Sequence, residues 1–218
     1  MSVAFDNYNF GFDTIDANAF ADRKAMCLDY FFADGRHLPI DRDYFRHHSD
    51  LMAEFLRFKG VAPKDYVVVC GLKQTFEQYL LLTALLKLDA VAVFVDSDSM
   101  VSALQRFKPK AVVVNAQSEA VAHCQMHPEL LPKLMVSVGM PTPKGWKDLH
   151  RGSWLTREFQ PCKDVCLASS DLVVMEFDST GERCYTRSDL FSLCVEDGWQ
   201  GFVSSQLQQL PYIVRNNK

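Results

Sequence analysis

At 218 residues the chain has room for one large domain or two small ones, and 48% hydrophobic with 23% charged residues is ordinary globular composition. A net charge of −4 carries no overall electrostatic footprint for nucleic acid or anionic lipid. The longest apolar stretch, residues 79–86, is too short to span a bilayer, and residues 1–13 lack the basic and apolar regions of a secretory signal, so a soluble, cytoplasmic protein is expected.

The first sixty residues read as an N-terminal module. Asp13 is a candidate N-cap for a short helix over residues 14–20. Residues 25–32 read as a strand, Ala33-Asp34-Gly35 as a hairpin-type turn and residues 36–40 as the returning strand. Asp41 then caps a longer helix with apolar positions at Tyr44, Phe45, Leu51, Met52, Phe55 and Leu56, and Gly60 with Pro63 closes it. His47 and His48 fall on the polar side of this helix with no catalytic partner in view and are expected in solvent.

The most strongly patterned stretch follows, residues 65–96. It opens with a β-branched apolar run, residues 67–70, broken by Gly71, as expected of a strand buried on both faces. Phe76, Tyr79, Leu80, Thr83 and Leu86 are spaced to line one face of a helix, Asp89 ends that pattern, and residues 90–95 form a second apolar run. Strand, helix and strand with short joints make a βαβ unit with parallel strands. Beyond it, Ser97 or Ser99 can cap a helix through Phe107, residues 111–115 read as a third strand, a helix starts at Ser118, and residues 135–139 read as a fourth strand. This alternation predicts an α/β architecture with a mainly parallel sheet and helices on both faces. No G-x-G-x-x-G follows any of these strands, so nothing marks a dinucleotide site.

Residues 141–145 read as a loop, and a segment with Trp146, Trp154, Phe159 and Pro161 leads to a last strand over residues 172–177. Ser188 is a candidate cap for a helix over residues 189–199, and the tail reads as a short finishing element. Three sections result: 1–64 (helix, hairpin, helix), 65–145 (the βαβ sheet core) and 146–218 (a connecting segment, the last strand with its loop, and the terminal helix).

Of the seven cysteines, Cys27, Cys70, Cys124, Cys184 and Cys194 sit in apolar or helical runs, as reduced, buried thiols do. Cys162 and Cys166 form a C-x₃-C that lacks zinc-ribbon spacing. His123, Cys124 and His127 can share a helix end but supply too few ligands for zinc, so no metal is expected.

Four stretches resemble the N-terminal part of adenylate-forming enzymes, the AMP-dependent acyl-CoA synthetases, and particularly their medium-chain type. They are NYNFGFDTID, KGVAPKDYVVVCG after the long helix, TALLKLDAVAVFVD with Asp89 where the family has glycine, and SSDLVVMEFDSTGERCYTRSDL. The resemblance runs to about Trp199. It implies that the loop after the last strand stands where the family carries its phosphate-binding motif, "T-S-G-T-T-G-x-P-K". Ser179, Thr180 and Gly181 are then the phosphate-contacting candidates, and Cys184 (or Thr186 in an ungapped match) takes the place of the lysine. Asp178 and Glu182 bring negative charge toward a polyphosphate, so the loop reads as degenerate.

Family members continue well beyond this loop, so the chain reads as truncated. The resemblance implies an acyl-CoA synthetase-like domain with no catalytic residue of its own and no assigned cofactor; ATP with magnesium and coenzyme A enter only if the family activity, acid–thiol ligation, survives. The alternatives are an interaction module and a small-molecule binder using the cleft at the strand C-termini. As partners, a homo-oligomer or a protein covering the missing subdomain is expected, with no nucleic acid and no membrane span.

Overall fold

The computed structural model describes residues 6–32, 34–157, 159, 166–193 and 197–215. Ala33, Pro161, Cys162, Cys194 and Lys218 lie outside the described residues.

The chain starts with a π-helical turn, Phe10–Asp16, running into α1 (Ala17–Ala21). Its cap is Asn9, whose Oδ1 accepts from the amides of Gly11 and Phe12 at 2.9 and 3.3 Å, and not Asp13, whose carboxylate instead accepts from the Asn9 amide at 2.7 Å. β1 (Met26–Phe31) and β2 (His37–Asp41) form the expected antiparallel hairpin. Asp41 caps α2 (Arg42–Phe58) by accepting from the Tyr44 amide at 2.8 Å, an N-cap bond worth about 1 kcal/mol. His47 and His48 are half-buried rather than solvated. The His48 ring packs 4.0 Å from that of Tyr44, and burial pushes its pKa down.

The sheet core comprises β3 (Tyr66–Cys70), α3 (Phe76–Lys87), β4 (Val91–Val95), α4 (Met100–Phe107), β5 (Ala111–Asn115), α5 (Ala120–Met126) and β6 (Leu134–Val138). The two-residue β7 (Lys147–Asp148), α6 (Leu149–Ser153), β8 (Leu172–Asp178) and β9 (Gly181–Thr186) follow. Seven strands in the order β7-β6-β5-β3-β4-β8-β9 make one sheet, parallel throughout except for β9. The four strands read from the sequence are thus neighbours in one parallel sheet. Ser99 makes no capping bond at the start of α4; the Asp96 carboxylate accepts from the Ser99 amide at 2.8 Å instead.

Strand alternation divides the core. Val67, Val69, Ala92 and Val113 face the layer of α2 and α3, while Val68, Cys70, Val93 and Val112 face that of α4 and α5. Both faces are covered, which is why the strands read as continuous apolar runs. Helix α3 is buried almost all round, so its apolar residues exceed the single face that the spacing suggested. Asp89 ends α3 with φ +57°, the left-handed conformation that terminates helices and in which glycine is usual.

The tail departs from the sequence reading. Residues 188–192 form a 3₁₀ turn, and the helix α7 runs over Gly198–Leu207, followed by β10 (Tyr212–Arg215). β10 pairs in parallel with β1, giving a second sheet of order β10-β1-β2. Trp199, Phe202, Val203, Tyr212 and Val214 are buried in the core. This corrects the expectation of a homo-oligomer or partner protein. That expectation took the tail for a short finishing element beside a missing subdomain, whereas α7 and β10 pack into the core and add a strand beside β1. Among the described residues no helix is long and apolar enough to cross a membrane.

Candidate functional site

A cleft of about 700 Å³ opens at the C-terminal ends of β3, β4 and β8, the edge where parallel sheets place their ligands. Each wall follows from local chain geometry. Gly71, at φ +73°, turns the chain sharply out of β3, and a Cβ there would lie 2.9 Å from Cβ of Ser118. The loop after it carries Lys73, whose side chain is exposed at the rim, and Gln74, whose amide donates to Oε1 of Gln78 at 2.7 Å. Phe94 and Trp199 stack with ring centroids 6.3 Å apart and supply an apolar wall.

Glu176 organises the opposite side. Its Oε1 accepts from Trp199 Nε1 at 3.0 Å, and its Oε2 accepts from the Tyr185 hydroxyl at 3.1 Å and lies 3.2 Å from Arg183 Nε. Gln200 Nε2 donates to the Tyr185 hydroxyl at 2.8 Å. This network ties β8, β9 and α7 together. Burial, then the Glu176 charge, pushes the Tyr185 pKa up, so its proton stays on the hydroxyl. The lining carries the carboxylates Asp96, Glu176, Asp178 and Asp197 against the cations Lys73 and Arg183, a balance that favours neutral or cationic guests over polyanions.

The sequence-predicted residues Ser179, Thr180 and Gly181 come together at the end of the β8–β9 hairpin. Asp178 pairs with Gly181, which leaves Ser179 and Thr180 as a two-residue turn, all of it exposed. The Asp178 carboxylate lines the cleft and accepts from both the amide and the hydroxyl of Thr180, the amide at 2.8 Å. These bonds, the hydroxyl's first, hold the Asp178 carboxyl below the usual carboxylate range. Donors that a phosphate would need are therefore already bonded to an anion of the chain itself. Glu182 turns away to Arg106 Nε at 2.8 Å, and Cys184 is exposed on β9, opposite Met175. Cys184 is thus not the buried thiol expected, whereas Cys27, Cys70 and Cys124 are buried.

Lys73, Asp96, Glu176 and Trp199 line the cleft but are not singled out by the sequence reading. Position after a parallel strand was the available signal for the first two. Glu176 lies within a strand that read simply as apolar. Among the described residues no group of histidine, cysteine or carboxylate side chains could hold a metal ion.

No protein-family model and no curated protein matches the chain. Solved structures do. An acyl-CoA synthetase from Brucella canis superposes with TM-score 0.78 at 14% identity, over 96% of this chain and 43% of that one. A luciferase-like enzyme from the mealworm Zophobas morio superposes with TM-score 0.77 at 16% identity, over 100% of this chain and 56% of that one. The acetoacetyl-CoA synthetase of Streptomyces lividans gives 0.78 at 14%, over 95% and 38%. The likeness is one of fold, and the chain spans about half or less of these proteins' length.

Proposed function

We propose that this chain is an acyl-CoA synthetase-like domain that does not adenylate carboxylates and that uses the cleft at the strand C-termini to bind a small neutral or cationic molecule. One observation carries the reading: the Asp178 carboxylate takes the amide and hydroxyl of Thr180, the donors a phosphate would need. The residues present do not fit ATP. A two-residue turn offers few free amides, Cys184 supplies no cation, and the lining carboxylates outnumber the cations. A fold can outlast the chemistry of its relatives.

Thermal-shift titration with magnesium–ATP tests the first part. A ligand at 100 times its dissociation constant adds about 2.7 kcal/mol, which is several degrees for a chain of this size. Flat melting to several millimolar is expected. A clear rise together with carboxylate-dependent exchange of pyrophosphate into ATP overturns the proposal and restores acid–thiol ligation with ATP, magnesium and coenzyme A.

A further inference from the structure

Away from the cleft, a groove of about 500 Å³ runs between the C-terminal end of α2 and α6, with Phe55 and Trp146 in its lining. Its borders are unusual in this molecule. Phe58 and Leu155 are 76% and 82% exposed, and Trp154, next to Leu155, is 73% exposed. Large apolar side chains left this open, three in one neighbourhood, are what an interaction surface looks like.

Lys59, Lys147 and Arg151 stand exposed around the same groove. Among the described residues none of the three makes an ion pair, as is also true of the exposed Lys73, Lys108, Lys110 and Lys133, but here the cations flank exposed apolar side chains. Among the described residues Asp148 is the only carboxylate in the lining, and its Oδ1 is engaged as the cap of α6, accepting from the Arg151 amide at 2.7 Å. Lys144 is exposed in the loop just before. A chain of net charge −4 thus gathers cations without carboxylate partners at one apolar spot, with Lys59 Nζ lying over the Phe58 ring, 5.1 Å from its centroid. The whole-chain charge hides this local concentration.

We propose that this face docks on the surface of an anionic lipid bilayer. Phe58, Trp154 and Leu155 would enter the interfacial region, where tryptophan is favoured because its ring is apolar and its N–H can stay wet. Lys59, Lys147 and Arg151 would lie against lipid phosphates. Charge complementarity selects the occupant: each basic residue near an anionic surface contributes about 1 kcal/mol, a factor of about five in partition. Single acyl anchors give only marginal binding, so a shallow apolar contact with a few cations implies reversible attachment.

Tryptophan fluorescence and vesicle co-sedimentation test this together. Trp146 and Trp199 are buried, so Trp154 dominates any solvent-sensitive emission. Vesicles with about 30% phosphatidylserine should sediment the protein and shift its emission to the blue, while pure phosphatidylcholine vesicles should do neither, and 0.5 M salt should reverse both. The double variant Lys147→Glu/Arg151→Glu should lose more than tenfold in partition, and Leu155→Ser should weaken it with little change in melting temperature, since all three side chains are exposed. No sedimentation with anionic vesicles overturns the proposal. So does sedimentation that survives the charge reversal or leaves Trp154 emission unchanged.

Discussion

Nζ of Lys87 lies 2.6 Å from Oδ1 of Asp50 with none of the lysine side chain exposed to solvent. Asp16 Oδ1 stands at the same distance on another side, and Arg46 reaches the second oxygen of Asp50 at 2.9 Å. This cluster joins the N-terminal turn, α2 and α3. It sits beneath Gly11, where an added Cβ would lie 2.3 Å from Cγ of Lys87. Removing Lys87 leaves Asp16 without its cation and Asp50 with Arg46 alone. Lys87→Met should therefore destabilise the fold by about 3–5 kcal/mol in urea unfolding. A loss under 1 kcal/mol would mean that water or Arg46 satisfies both carboxylates.

Burial outweighs the attraction of Lys87 and pushes the Asp16 carboxyl up to about 6. The folded chain then holds a proton that the unfolded chain, with an ordinary aspartate, has already released. Between pH 4 and 6 the folded state binds more protons, so this group's contribution to stability falls as pH rises through that window. The effect should total about 2–3 kcal/mol. Unfolding free energies measured at intervals across pH 4–6 should lose that downward component in Asp16→Asn. An unchanged slope would assign the titration to another group.

Asp89 shares a buried pair with Arg187, whose other nitrogens donate to the carbonyls of Ala168 and Tyr8 at 3.2 and 2.7 Å. Glycine at position 89 would suit φ +57° better by roughly 1 kcal/mol, yet it would leave a buried guanidinium without its carboxylate. Asp89→Gly should thus destabilise by about 2–3 kcal/mol, and Arg187→Met by about 3–5 kcal/mol. The double variant should cost less than the sum, which a double-mutant cycle reads directly. Additive losses would show that the two residues act independently.

Cys184→Lys puts a lysine at the position where the resemblance places the family's lysine. Because Cys184 is exposed on β9, the variant should melt within about 1 kcal/mol of the parent chain. It should gain no response to magnesium–ATP, since Asp178 still holds the Thr180 donors. ATP binding gained in this single variant would show that a cation at position 184 matters more than the Asp178 bonds to the turn.

Residue chemistry explains what could be read in advance. β3, β4 and β5 are buried on both faces, so each stands out as an unbroken apolar run bounded by glycine, aspartate or lysine. β9 escaped detection because GERCYT is an exposed edge strand with no apolar periodicity. β10 escaped because only Tyr212 and Val214 of its four residues are buried. Lys87 and Arg187 were invisible as core residues, since charged side chains are buried only with partners that lie far away in sequence. The one hint was that Lys87 ends a helix with no polar face. At the candidate site the resemblance points to Ser179, Thr180 and Gly181, but the Asp178 hydrogen bonds depend on hairpin geometry, which composition does not encode.

The pairing of β10 with β1 has a consequence for synthesis. Tyr212 aligns with Leu28, about 180 residues earlier, so β1 emerges from the ribosome long before its second neighbour exists. At about 5–20 residues per second that interval lasts roughly 10–40 s. Throughout it, one edge of β1 remains open to pairing with other strands, the exposure that folded sheets avoid. Closure waits for β10 to be translated, and slow translation anywhere between β1 and β10 lengthens the wait directly.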